Sequence, residues 1–354
     1  MFSEAIMSKE ITQSPTTEEW RALYEDAIRI KSLAPWEWMT EDEIFGVKDP
    51  ETGETGYVSV MGALGEHLSV TVYLGAQALD QFWLLVTDSY TVNFRPETVL
   101  EIPQLQLSFQ NRDELTKKDR DIIKSLGLKF RGRMTWPMFR SIWPGHFPWH
   151  LTGWEARFLH HVLQQTLEVT PRLKEDPEAL LPEDEENGLY LVRTPRKKGD
   201  ALIWEDAWTS VSTFTHTVPL VMDMNLLRSV KRLPKSKASI EMDFFALPFQ
   251  IQEKRGERPF LPYMLLSVER EHGIILDSDI MVADPDLTAM KGKIPLKIVE
   301  LFARLKMRPR VVYVRDDYMA SYLEKLANEL GFKIRITPTF RYLDGARKAL
   351  LEHF

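Results

Sequence analysis

The chain contains no cysteine. That removes disulfides, thiolate metal sites and a cysteine nucleophile at once, and it suits a reducing cytosol. Glycine is sparse, at 17 of 354 residues, and none of it forms a GxGxxG or GxxxxGK[ST] arrangement. The common backbone cradles for nucleotide phosphates are therefore missing, and Lys291-Gly-Lys is too short to replace them. No GxSxG elbow is present, which removes the usual α/β-hydrolase nucleophile. No window reaches the ~18 uninterrupted apolar residues that a membrane-spanning helix needs. The N-terminus, MFSEAIMSKEITQS, lacks the basic and apolar blocks of a secretory signal. The reading is a cytoplasmic protein without a membrane partner.

What is present is ordinary for a globular protein. A hydrophobic fraction of 44% and a charged fraction of 27% provide for a core and a solvated surface. A chain of 354 residues is too long for one core, so two domains are expected. The net charge of −7 hides an asymmetry: residues 1–216 hold 22 Lys+Arg against 34 Asp+Glu, while residues 217–354 hold 23 against 18. The first part is thus acidic and the second mildly basic, short of the footprint of a dedicated nucleic-acid binder.

The fold class expected is α+β. Residues 1–15 read as a disordered leader and 16–174 as an N-terminal α+β domain. Residues 175–188 read as an acidic loop or linker, 189–235 as a connecting hairpin and helix, and 236–354 as a mixed-sheet α/β domain. Thr16 with Glu19 forms a capping box, and Trp20, Leu23, Tyr24, Ala27 and Ile30 recur at helical spacing behind it. Ile44–Lys48 and Tyr57–Met61 flank a turn cluster, so a hairpin is expected, with a third strand over Leu68–Leu74. A helix through Leu79, Phe82, Trp83 and Val86, a strand over Leu105–Phe109 and a helix over Lys117–Leu126 follow. A second capping box, Thr152 with Glu155, opens a helix to about Val169. The run 175–188 holds seven acidic residues and two prolines, which suits an exposed loop. The next hairpin pairs Leu189–Arg193 with Ala201–Trp204, and Met222–Arg232 is a helix.

Between Met134 and Trp154 lie four tryptophans and three prolines. An irregular, rigid segment is expected, because each proline fixes φ and removes a donor. Trp136, Trp143 and Trp149 are a candidate ligand surface, though large rings more often fill gaps in a core. His146, His150, His160 and His161 offer nitrogen ligands. Pro148 inside HFPWH breaks the helical HxxxH face of a zinc site, so no zinc is expected. KRLPKSK, residues 231–237, reads as a solvated loop.

The last 115 residues or so read as three strands, helix, strand, helix, strand, helix: Ile240–Phe249, Tyr263–Arg270, Gly273–Val282, Leu296–Lys306, Val311–Arg315, Tyr318–Leu330, Lys333–Thr337 and Leu343–Phe354. That order resembles the ribonuclease-H-like superfamily. The resemblance implies carboxylates on the first strand, the first helix, the fourth strand and the last helix, holding two divalent cations in active nucleases. Asp243, Glu300, Asp316 (or Asp317) and Asp344 occupy those places, with Asp243 and Asp316 the candidate catalytic pair. Phe244 and Phe245 follow Asp243 where small polar residues are usual.

A second resemblance spans nearly the whole chain. APWEWM, RGRMTWPMFRSIWPGHFPW and RPRVVYVRD are similar to segments of an uncharacterised bacterial two-domain family of unknown function. Two functional expectations follow. The first is a non-catalytic binding or adaptor protein with an eroded ribonuclease-H-like site, no cofactor and an unknown protein partner. The second is a nuclease or phosphoryl-transfer enzyme using Mg²⁺ or Mn²⁺, with nucleic acid approaching the C-terminal domain.

Overall fold

A computed structural model describes residues 13–89, 96–182, 188–199, 201–212, 214, 217–252, 254 and 256–352. Most of the expected leader and residues 183–187 of the acidic run lie outside the described residues. The chain divides into two compact units. The first takes Met1–Leu84, Ile102–Trp143 and Pro148–Phe214, and the second takes Leu85–Glu101, Pro144–Phe147 and Thr215–Phe354. Among the described residues no helix is long and apolar enough to cross a membrane.

The first unit opens on α1 (Thr17–Leu33), capped as the sequence predicts: the Thr16 hydroxyl accepts from the Glu19 N–H, and the Glu19 carboxylate accepts from the Thr16 N–H. Its predicted apolar face is buried. Then come β1 (Phe45–Lys48), β2 (Thr55–Met61), β3 (Ser69–Leu74), α2 (Ala76–Ser89), β4 (Gln104–Gln110), α3 (Lys117–Ser125), β5 (Trp136–Ile142), α4 (Gly153–Glu175), β6 (Leu189–Lys198) and β7 (Ala201–Ser210). They build a seven-stranded sheet of order β5-β4-β3-β2-β1-β6-β7. β1 runs parallel to β6, and the other neighbours are antiparallel. The inward side chains of β2, β3 and β4 pack in one core with α1 and α4.

Three expectations need correction here. The Met134–Trp154 passage is not irregular throughout, because Trp136–Ile142 pairs along β4 as β5. β5 is an edge strand, where Pro137 can leave its missing donor facing outward. α4 runs past Val169 to Glu175 through Pro171, since burial of Val169, Thr170 and Leu173 outweighs one lost backbone bond. The β6–β7 hairpin extends to Lys198 and Ser210 rather than stopping at Arg193 and Trp204. Pairing of β6 with β1 covers only Val192 and Arg193, so Pro195 lies where β6 has one free side.

The second unit contains α5 (Met224–Lys231), β8 (Ser239–Ala246), β9 (Tyr263–Glu269), β10 (Ile275–Met281), α6 (Leu287–Gly292), α7 (Ile294–Leu305), β11 (Val311–Val314), α8 (Asp317–Leu330), β12 (Lys333–Ile336) and α9 (Leu343–Leu351). Only the six-residue α6 was not expected. The sheet order is β10-β9-β8-β11-β12, with β8, β11 and β12 parallel and β9 and β10 antiparallel. Strand alternation sorts β8 into two faces. Ile240, Met242 and Phe244 join the core under α5, α7 and α8. Glu241, Asp243 and Phe245 point the other way, where Phe245 packs with Met264, Leu266, Phe340 and Leu343 beneath α9. A 3₁₀ turn, Pro96–Glu101, belongs to this unit although it precedes β4 in the chain.

Candidate functional site

Two carboxylates two residues apart on a central strand must share a face, and both Glu241 and Asp243 are fully buried there. A buried carboxylate needs partners for its charge and its lone pairs. Glu241 finds them at the start of α9: it accepts N–H groups from Arg341, Tyr342 and Leu343 at 2.8–3.0 Å, and the Arg270 guanidinium at 2.6 Å. That arrangement is the anion site of a helix N-terminus, filled from within the chain. Arg270 also lies 3.8 Å over the Tyr313 ring.

Asp243 is held differently. Arg315, one residue past β11, donates from Nε at 2.8 Å, the Phe244 N–H donates at 3.0 Å, and Arg347 of α9 stands 3.5 Å away. The same Arg315 donates to Asp344 at 2.6 Å and to the Pro338 carbonyl at 2.8 Å, and it covers the Phe340 ring. Burial pulls the Arg315 pKa down, but Asp243 and Asp344 overcome it and raise the value above that of free arginine. Asp344 accepts the Phe340 N–H as well. Arg347 lies over the Phe245 ring and 3.7 Å from Glu97.

The four candidate carboxylates have these partners. Asp243 and Asp344 are joined through Arg315. Asp316, buried, accepts from the Met319 N–H and caps α8. Asp317 is exposed in the first turn of that helix. Glu300 pairs with Lys297 on α7, whose apolar side packs on the sheet face opposite Asp243. Among the described residues, the group of acidic and histidine side chains close enough for one cation is Glu269, Glu271 and His272 in the β9–β10 turn. There Glu269 already accepts the N–H groups of Glu271 and His272.

Sequence reasoning did not anticipate a second charge cluster in this unit. Lys291, at the end of α6, is buried and donates to the Glu101 carboxylate and, at 2.7 Å, to the Tyr318 hydroxyl. The Tyr263 hydroxyl donates to the other Glu101 oxygen. Burial, reinforced by Glu101, pushes the Tyr263 phenol far up. Glu97 and Glu101 lie at least 138 residues before β8 in sequence, so no local pattern links them to it.

Of the three candidate tryptophans, Trp136 and Trp143 pack on the core of the first unit. Trp136 meets Phe130 edge-on, and Trp143 donates to the buried Glu155 carboxylate at 2.9 Å. Trp149 bridges to Ser141 through its backbone and meets the His150 ring. All three are half-buried. The histidines fall apart as candidate ligands: His146 stacks on Phe260, His150 lies 3.6 Å from Asp119, and His160 contacts Asp26 at 2.6 Å.

Residues 20–193 match the family model described as Domain of unknown function (DUF7309), and residues 226–351 match Domain of unknown function (DUF6930). No curated protein matches the chain. The chain is a two-domain protein that joins these two domains.

Proposed function

We propose that this is a non-catalytic cytoplasmic binding or adaptor protein, with a ribonuclease-H-like second unit whose catalytic position is closed by arginine. The sheet order β10-β9-β8-β11-β12 with its parallel β8, β11 and β12 supports the scaffold. A scaffold does not define an activity, so the reading rests on the site. One observation carries it: the Arg315 guanidinium bridges Asp243 and Asp344.

A two-cation phosphoryl-transfer site needs open carboxylate oxygens converging on each ion. Here Asp243 spends its oxygens on Arg315, Arg347 and the Phe244 N–H. Guanidinium stays charged at any accessible pH and matches carboxylates geometrically, so it neutralises the pair permanently. The arrangement suits a fixed surface for a partner better than a reaction centre.

Thermal unfolding across a Mn²⁺ or Mg²⁺ titration tests this. A cation that bound the native site would raise the melting temperature with concentration. No rise is expected. A rise that Asp243→Asn abolishes, with metal-dependent cleavage of a nucleic acid, would replace this reading with the enzymatic one.

A further inference from the structure

The sheet of the second unit has a second edge, away from the ends of β8 and β11 where Asp243 and Arg315 sit. α5, α7 and α8 each lead into a parallel strand, β8, β11 and β12 respectively. All three helices therefore finish at the edge where those strands begin. The connecting segments are stitched together by backbone bonds. Ser236 donates to Arg308, Arg308 to Pro234, Arg310 to Ala238, and Lys333 to Arg310. The Arg308 guanidinium ties two of these segments, donating to the Leu233 and Leu330 carbonyls.

This platform carries Arg232, Lys235, Lys237, Lys306, Arg310 and Lys333, all exposed. Among the described residues none of these six is in an ion pair. Lys237, Arg310 and Lys333 mark the starts of three adjacent strands, spaced about 5 Å from one strand to the next. Lys235 lies over Gly331, with its Nζ 3.3 Å from where a Cβ on that glycine would stand. The negative ends of the helix dipoles account for Arg232 and Lys306 at the helix caps. They do not account for three more cations at the strand starts. The acidic turn Glu269–Glu271 bounds the patch on the β9 side, and Glu329 is paired with Lys231.

We propose that this strand-start edge is a sequence-independent docking surface for the phosphate backbone of a nucleic acid. Protein interfaces are depleted in lysine and enriched in aromatic residues at their centres. Here the patch is mostly lysine, and the one aromatic side chain in its segments, Phe332, is buried. Cations without stacking surfaces contact phosphates and leave bases unread. The net charge of −7 means that the chain as a whole repels a polyanion, so any binding must be local to such a patch. The surface is independent of whether Asp243 takes a metal.

Fluorescence anisotropy of the full chain with a labelled single-stranded oligonucleotide, and with a duplex, tests the proposal. Affinity should fall steeply between about 50 and about 200 mM salt. The variant K235Q/K237Q/R310Q/K333Q should lose at least about tenfold in affinity at low salt, and its single-strand salt slope should flatten by roughly 3, about 0.7 per phosphate contact removed. Should that variant unfold, the pair R310Q/K333Q, two exposed positions, should still lose several-fold. The control K117Q/K118Q, on α3 of the other unit, should bind as the parent does. Failure of the parent chain to bind either nucleic acid would overturn the proposal. So would unchanged binding by a folded patch variant, or binding of polyglutamate in place of nucleic acid. None of these outcomes depends on Mn²⁺, so this surface and the closed carboxylate site fail separately.

Discussion

The Nε of Arg315 lies 2.8 Å from the fully buried carboxylate of Asp243, across the gap between two parallel strands. The two residues are 72 apart in sequence, yet the β8–β11 register sets their strands side by side. A buried ion pair of this kind stabilises little against an apolar replacement of both partners, but removing one partner strands the other's charge.

Arg315→Ala should therefore destabilise the protein by about 3–5 kcal/mol. Asp243→Leu paired with Arg315→Met should cost less than Arg315→Ala alone, because the partners it leaves behind, Asp344 and Arg347, are partly exposed, whereas Arg315→Ala strands the fully buried Asp243. Urea unfolding of the single and double variants measures both. A near-silent Arg315→Ala would mean that Arg347 and the Phe244 N–H suffice for Asp243 without Arg315.

Glu101→Gln leaves the buried Lys291 amine without its carboxylate, and the expected loss is again about 3–5 kcal/mol. Because Glu101 closes the Pro96–Glu101 turn onto Lys291 and Tyr263, backbone amides of that turn should exchange faster in the variant. Hydrogen exchange resolved to that segment decides it. Unchanged protection there would show that the turn is held by packing alone.

Trp143→Phe keeps a ring against the core and removes the donor to the buried Glu155 carboxylate. The Ser141 hydroxyl and the Thr152 N–H still serve that carboxylate, so the loss should be about 1–3 kcal/mol. Trp136→Ala exposes core around Phe130 and should cost about 2–4 kcal/mol, below the range for a fully buried ring. Unaltered melting temperatures for both would favour a ligand surface over packing.

Burial, with Lys118 alongside, pushes the His150 imidazole down to about 4. The unfolded chain protonates this histidine near pH ~6.5, while the native state stays neutral until about 4. Between those values the unfolded state binds more protons, so stability falls as pH drops through that window. Asp119 behaves separately: burial would raise its pKa, but Arg140 outweighs burial and lowers it, so its contribution is lost only at more acid pH. His150→Gln should flatten the stability profile between about pH 6.5 and 4 and leave the acid limb in place. A profile that keeps its slope in the variant would assign the window to another histidine.

Much of the fold was legible because it is locally encoded. Capping boxes at Thr16 and Thr152, the alternation of Ser69–Leu74 and the apolar run Val311–Val314 each carry their structure within a few residues. The errors fell where a distant neighbour overrides a local signal. Pro137 and Pro195 signal breaks, yet both lie in strands because the open side of each strand spares the missing donor. Pro171 stays helical because Leu173 is buried beyond it.

The candidate site divides along the same line. The sequence by itself determined that Glu241 and Asp243 share one face of an otherwise apolar strand, since strand periodicity is a property of the backbone. It also placed Arg315 beside Asp316 at the end of the fourth strand, so an arginine within reach was foreseeable. Only the tertiary structure decided that the guanidinium bridges Asp243 and Asp344, and that Glu300 faces away. It alone brought Glu97 and Glu101 to Arg347 and Lys291, and drew six scattered cations onto one edge. The reason is physical: charge pairing depends on distance through space, and sequence spacing sets that distance only within a helix turn or a strand pleat.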